Sequence, residues 1–425
     1  MHKVTFLLTL ACTHIVSTHA QYCIEDRFTQ NAYFTDDQIV VNTNISYGLA
    51  DHWYQDYPQP VLNTFDIAYP DLSIDPLEKK PLIVLAHGGG FWGGEKEEFS
   101  YHISELAKSG YIAVSINYRK GWDGDPDNCG GDPLTLSQAI YFAIQDAKAC
   151  LRYLVENASV YGIDTAAIFI GGESAGAYSM LNSAYLSQAE WDSVHPGFSE
   201  AYGDFDHADN NLETTYTVKG FLNMWGGVLD TTFCSRDEMK PTISFYGTSD
   251  DVIPPYDGHV QYCNNYEHVN GSASLASMLT ENMVPNVLHA HTMYGHEAYE
   301  DEYTTGNISC FVKSVLCDEV QTRTVNYEEA DCDEALVSVQ NFNKYFSAIY
   351  PNPATDFALI HLPETLSVQP MIAVFDINGR QQNVQFTVSG NNLTMDITDL
   401  PSGIYEARVS GNGMVLTSRL VISRL

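Results

Sequence analysis

The chain is short of basic residues. Twenty Lys and Arg stand against 54 Asp and Glu, a formal net charge of -34 over 425 residues. Contacts to phosphates need Lys and Arg, so this balance argues against a nucleic-acid partner. It suits a soluble protein in salty or extracellular water and says nothing direct about chemistry. No segment has 18 apolar residues in a row, so no transmembrane helix is expected. No Cys-x-x-Cys spacing occurs, which weakens zinc and thioredoxin-like readings. The glycine-rich "HGGGF" at 87–91 is followed by no Walker lysine, and Phe91-Trp92 would crowd a pyrophosphate.

What is present begins with "MHKVTFLLTLACTHIVSTHAQ". A basic start, a short apolar run and the ending Thr18-His19-Ala20 predict a secretory signal peptide over 1–20. "TLAC" around Cys12 matches a lipoprotein site poorly. Of nine cysteines, eight remain beyond residue 20, and an even count in an exported chain implies disulfides. Cys310 and Cys317 are near enough in sequence to close a local loop; the wider connectivity is not readable.

From Phe65 onward, strand-like runs alternate with helical spacing. "TFDIAYP", "PLIVLAHGGG", "YIAVSINY" (111–118), "AAIFIGG" (166–172), "GFLNMWGG" (220–227), "PTISFYG" (241–247) and "VLHAHTMYG" (287–295) predict strands. Apolar residues at 136, 140, 143, 144, 147, 151 and 154 predict a helix. Such alternation predicts a mostly parallel sheet covered on both faces, over 21–317. Residues 187–219 break the rhythm with polar, acidic and aromatic sequence, and are expected to form a lid-like insertion. Within it, Asp204, Asp206, Asp209 and Glu213 lack the order of a calcium loop and read as a solvated acidic stretch. A polar linker is expected at 318–345. Short alternating runs split by glycine turns then predict a small all-β sandwich at 346–425.

That last segment closely resembles the C-terminal sorting domain of the type IX secretion system. "YPNPATD" (350–356), "VFDINGR" (374–380) and "DLPSGIYEARV" (399–409) carry the likeness. It implies export across both membranes, to the cell surface or outside, with the sorting domain removed or anchored. The type IX machinery is the implied partner.

Chemistry centres on "IFIGGESAGAY" (168–178). Gly172-Glu173-Ser174-Ala175-Gly176 fits the Gly-x-Ser-x-Gly nucleophile elbow, a strained strand-to-helix turn that needs small neighbours. A serine nucleophile needs a base and an acid to orient it, in the chain order Ser, acid, His. The acid is expected at the end of "PTISFYG", as Asp250 or Asp251, and the base as His296 after "VLHAHTMYG". "HGGGF" supplies Gly89 and Gly90 N–H groups, which join that of Ala175 as oxyanion donors.

Residues 60–316 resemble the α/β-hydrolase carboxylesterases. The carriers are "HGGGFWGGEK", "INYR" (116–119), "QDAKACLRYL" (145–154), "YGID" (161–164), "GGESAGA" and "GTSDDVIP" (247–254). The likeness makes Ser174 the nucleophile, His296 the general base and Asp250 the acid. It implies the α/β-hydrolase fold and a serine carboxylesterase acting through an acyl-enzyme, with no cofactor. Glu173 is expected to be a structural partner of the elbow, and His87 to orient the oxyanion loop. His289, His291 and Glu297 are weighed as a metal site and set aside for histidines satisfied within a strand. Trp92, Trp122 and Tyr118 are expected pocket walls. The expected substrate is a small ester, with an acetyl or feruloyl ester on a polysaccharide as alternative. A peptidase of the same fold and a non-catalytic adhesion module are the remaining readings.

Overall fold

Aliphatic and β-branched runs assemble the first of two compact units, which divide between residues 335 and 336 of the computed structural model. The described residues are 20–24, 26–51, 60–124, 128–206, 208–327, 332, 349–362, 371–376, 381–382, 384–411 and 414–424. The expected signal peptide up to residue 19, most of the expected linker beyond Tyr327, and 377–380 of the second sorting motif lie outside them.

The first unit runs β1 (Ile39–Ala50), β2 (Val61–Pro70), β3 (Lys80–Ala86), α1 (Ser100–Ser109), β4 (Ile112–Ile116), α2 (Pro133–Glu156), α3 (Ala158–Tyr161), β5 (Ile163–Glu173) and α4 (Ser174–Tyr185). It continues with α5 (Gln188–Val194), α6 (Phe198–Tyr202), β6 (Val218–Met224), β7 (Gly227–Val228), β8 (Thr242–Gly247), β9 (Asp257–His259), β10 (His268–Gly271), α7 (Ser272–Glu281), β11 (Asn286–His291), α8 (Asp301–Leu316) and β12 (Arg323–Val325). Nine strands form one sheet in the order β1-β2-β4-β3-β5-β6-β8-β11-β12. Only the β1–β2 and β2–β4 pairings are antiparallel. This is the expected α/β-hydrolase architecture.

Strand β3 shows why its sequence is apolar throughout. Successive side chains alternate between faces. Leu82, Val84 and Ala86 join the core that holds Leu136 and Ile140 of α2 and Leu181 of α4. Ile83 and Leu85 join the opposite core, with Leu106 of α1 and Phe311 of α8. Helix α2 starts as its sequence prescribes: the Asp132 side chain accepts from the Leu134 N–H, and Pro133 occupies the first turn.

Three features depart from the sequence-based expectation. First, part of the expected linker is strand: β12 extends the sheet beside β11. Second, the 187–219 insertion, expected to be lid-like, is seated on α2. Trp191, Phe198 and Phe205 surround the Tyr141 ring, at centroid distances of 5.6, 5.4 and 4.7 Å. Its acids are not all solvated either. Asp206 is exposed and pairs with Lys148 at 3.1 Å, but the Asp209 side chain is fully buried beside Arg119. The Asn63 amide donates to it at 3.2 Å, and its backbone C=O accepts from the Leu49 N–H of β1. Third, Cys310 and Cys317 do not pair with each other. Both belong to the α8 region, where seven residues of helix separate them by about 10 Å, too far for a disulfide. The bonds are Cys23–Cys317, Cys129–Cys263 and Cys310–Cys332; Cys150 and Cys234 are free and buried.

The second unit is the expected β-sandwich. One sheet orders β13 (Ile349–Tyr350), β14 (Phe357–His361), β18 (Asn392–Asp396) and β17 (Gln385–Ser389). The other orders β16 (Gln381–Gln382), β15 (Met371–Asp376), β19 (Gly403–Gly411) and β20 (Met414–Ile422). Ile360, Val374, Leu393, Met395, Ala407 and Leu420 fill its core.

Two predictions follow from burial and cross-linking. Burial, with the Asp146 carboxylate beside it, pushes the Asp209 carboxyl up to about 9. A pKa raised on folding gives a contribution that is full below the unfolded value of about 4 and is lost as pH rises through the folded one. Stability is therefore expected to fall between about pH 5 and pH 9, and Asp209→Asn to flatten that fall. Thermal unfolding of both proteins across this range checks it, and parallel curves would refute it. The Cys129–Cys263 bond spans a sequence separation of 134. Replacing both cysteines by Ala is expected to cost about 2–4 kcal/mol, read from urea unfolding.

Candidate active site

Four loops leave the C-terminal ends of β3, β5, β8 and β11, on one edge of the sheet. In open α/β sheets ligands bind at this edge. The loop after β5 is the elbow. Ser174 begins α4 with φ +49°, the left-handed region that a non-glycine residue rarely adopts. The turn closes because glycines permit contact: a Cβ on Gly176 would lie 2.1 Å from the Ala86 carbonyl oxygen and 2.3 Å from that of His87. The Ser174 side chain thus stands beside the glycine loop after β3.

The Ser174 hydroxyl donates to His296 Nε2 at 2.9 Å, and His296 Nδ1–H donates to Asp250 Oδ2 at 2.8 Å. The other Asp250 oxygen, Oδ1, accepts the Val252 and Ile253 N–H groups, each at 2.9 Å. Asp250 is buried, and Asp251 points outward and is exposed. The carboxylate is thereby fixed and its orientation selects the imidazole tautomer with the proton on Nδ1.

The loops bearing Asp250 and His296 hold each other. Thr248 N–H donates to His291 O, Ser249 N–H to Tyr294 O at 2.8 Å, and Met293 N–H to Thr248 Oγ1 at 2.8 Å. His291 Nδ1–H donates to Ala298 O at 2.8 Å, and Thr292 N–H donates to Asn326 Oδ1 just beyond β12. His289 is buried, stacked on Phe245 and hydrogen-bonded to the Tyr303 hydroxyl; burial pushes its imidazole down to about 3. Among the described residues no cluster of three or more His, Cys, Asp or Glu could hold a metal ion.

On the glycine loop, Gly89 and Gly90 take φ +94° and +60°. Their N–H groups have no hydrogen-bond partner among the described residues. Gly88 N–H donates to Glu173 Oε1 at 3.3 Å. Burial, reinforced by the Glu297, Glu98 and Asp301 carboxylates, raises Glu173 to about 7. Of the expected pocket walls, Trp92 is exposed, whereas Tyr118 and Trp122 are buried.

Sequence reasoning missed Trp225, whose buried ring lies 6.4 Å from the His296 ring after a turn at φ +40°. It missed Asn223, whose amide reaches Ser244, Ser272 and the Gly226 N–H and so braces that turn. An Asn at a strand end just before Trp-Gly-Gly was the available signal. It also missed the clamp around the Cys129–Cys263 bond. There Tyr266 donates to Gly130 O at 2.7 Å and meets Trp122 edge to face, while Tyr262 donates to the Asp250 backbone carbonyl.

Residues 65–236 match the BD-FAE family model, and residues 348–423 match that of the secretion system C-terminal sorting domain. A neuroligin-like protein of Caenorhabditis elegans, glit-1, is 32% identical over 132 residues, 30% of this chain and 17% of its own length. Para-nitrobenzyl esterase of Bacillus subtilis is 34% identical over 109 residues, 25% of this chain and 21% of that protein. The matched stretches thus span well under a third of these relatives. Among solved structures, esterase B of Lactobacillus rhamnosis aligns with a TM-score of 0.42 at 16% identity, covering 67% of this chain and 88% of that one. The chain therefore joins an α/β-hydrolase esterase domain of the BD-FAE family to a type IX secretion system C-terminal sorting domain.

Proposed function

We propose that the protein is an exported serine carboxylic-ester hydrolase. The observation that carries this is the relay from Ser174 through His296 to Asp250, at 2.9 and 2.8 Å. Ser174 Oγ attacks the ester carbonyl while His296 Nε2 takes its proton. The Asp250 carboxylate stabilises the imidazolium that forms. The Gly89, Gly90 and Ala175 N–H groups bind the oxyanion of the tetrahedral intermediate. The intermediate collapses as His296 returns the proton to the leaving alcohol, and an acyl-Ser174 ester remains. Water, deprotonated by His296, attacks that ester. A second collapse restores Ser174 and releases the carboxylate. No step needs a cofactor.

The sorting domain supports export by the type IX machinery. Export in turn supports a second reading of the substrate, an acetyl or feruloyl ester carried on a polysaccharide outside the cell.

Hydrolysis of nitrophenyl acetate, butyrate and octanoate, methyl ferulate and acetylated xylan separates these readings. Ser174→Ala is expected to lower kcat by at least about 10^4-fold, and Asp250→Asn by about 10^4-fold. Asp251→Asn is expected to stay within about twofold of wild type. Folded Ser174→Ala protein with wild-type activity would refute the mechanism. Release from xylan or ferulate selects the polysaccharide reading, and a folded protein silent on every ester leaves the peptidase and adhesion readings.

A further inference from the structure

Two of the oxyanion donors proposed above, Gly89 and Gly90, belong to a run of three glycines, Gly88-Gly89-Gly90. Such a stretch has no side chains with which to fix its own peptide planes, and glycine has the widest choice of conformations to lose. A donor stabilises an oxyanion only if it is already aimed when the charge develops. Something outside the glycines must therefore hold them. We infer that the Tyr118 hydroxyl is a positioning group for the oxyanion donors, acting on the two backbone carbonyls that precede them. The inference rests on the esterase reading.

The geometry runs peptide by peptide. Tyr118 lies just beyond β4 and is buried, its ring stacked on the His87 imidazole at 4.5 Å and 16°. Its hydroxyl donates to His87 O at 2.8 Å and also lies 3.3 Å from Gly88 O. In a trans peptide the C=O and the following N–H point in opposite directions. Holding His87 O on the tyrosine side turns the Gly88 N–H the other way, and it meets Glu173 Oε1 there. Gly88 O is held on the tyrosine side too, by the hydroxyl and by His87 Nδ1–H at 2.8 Å. The Gly89 N–H must then point away from Tyr118. It is the first N–H of the loop without a partner among the described residues.

The protonation states agree with these roles. Burial pushes the Tyr118 hydroxyl well above 10, so it remains a donor. Burial pushes His87 down to about 4, so the ring is neutral at neutral pH with its one N–H committed to Gly88 O. The Tyr118 hydroxyl touches no reacting atom; it acts through the peptides.

Tyr118→Phe keeps the ring stack and removes one hydroxyl. Its kcat for nitrophenyl butyrate is expected to fall roughly 10-fold, with KM within about twofold, because the oxyanion exists only after attack. Affinity for butaneboronic acid, whose tetrahedral adduct on Ser174 presents an oxygen to the same donors, should weaken by the same factor. A purely structural role would instead lower the melting temperature and leave that affinity unchanged. Glu173→Ala should lower kcat similarly and Glu173→Gln much less, since the amide oxygen still accepts from Gly88. The Tyr118→Phe and Glu173→Ala losses should not add, because both residues hold one peptide. Wild-type kcat and boronate affinity in folded Tyr118→Phe would overturn the inference. If that variant does not fold, equal kcat in Glu173→Ala and Glu173→Gln would overturn it. Wild-type activity that survives Ser174→Ala would refute the esterase reading itself, and the inference with it.

Discussion

The arrangement at the strand ends depends on one close approach, that of the first turn of α4 to the carbonyl oxygens of Ala86 and His87. A methyl group on Gly176 would lie 2.1 and 2.3 Å from them, far inside van der Waals contact, so only glycine fits. Because α4 starts there, Ser174 is pressed into the left-handed region and lies beside the glycine loop. A Cβ on Gly88 would lie 3.4 Å from the Ser174 Cβ. The proposed nucleophile and oxyanion donors thus share one contact, whereas the proposed acid and base reach them from two further strands. The cost of such a strained turn is met by the packing of β3 and β5 between two full cores.

Legibility in the sequence followed periodicity and burial. The strands buried on both faces were readable because parallel-sheet interiors tolerate only apolar side chains. Strand β1 was not, since "IVVNTNISYGLA" is an edge strand with a single buried residue and two register shifts. Strand β12 is three residues long, below the reach of any periodicity. Asp209 was misread because composition cannot reveal a carboxyl buried against Arg119 and Asp146. The disulfides were unreadable because two of the three join residues separated by 294 and 134 positions.

The site was legible in a different way, through order and turn chemistry. An elbow, then an acid at one strand end, then a histidine at the next, needs no coordinates to be noticed. The choice between Asp250 and Asp251 does need them. Adjacent residues leaving a strand face opposite ways, and only the backbone shows which one the Val252 and Ile253 N–H groups capture. The supporting residues were the least visible. Tyr118 reads as a pocket wall, and Glu173 as a structural partner of the elbow whose contact the sequence does not name. Their roles arise from backbone peptides that no side-chain pattern encodes.

The surroundings of the elbow add an electrostatic constraint on the proposed reaction. Lys96, buried near the glycine loop, pairs with Asp66 and Glu97; Lys120 pairs with Glu95, and Arg119 with Asp146. The acids, in contrast, exceed their partners: Glu297, Glu98 and Asp301 all act on Glu173. A neutral ester enters such a field without cost. The carboxylate that leaves it is repelled, the more so because a site screened from water weakens like charges less than bulk solvent does. The oxyanion of the intermediate escapes that repulsion only through N–H groups aimed at it from short range. Rigid aiming of the Gly89 N–H therefore matters more in this acidic setting than it would beside unpaired cations, and the peptides held by Tyr118, His87 and Glu173 meet that need within one turn of the nucleophile.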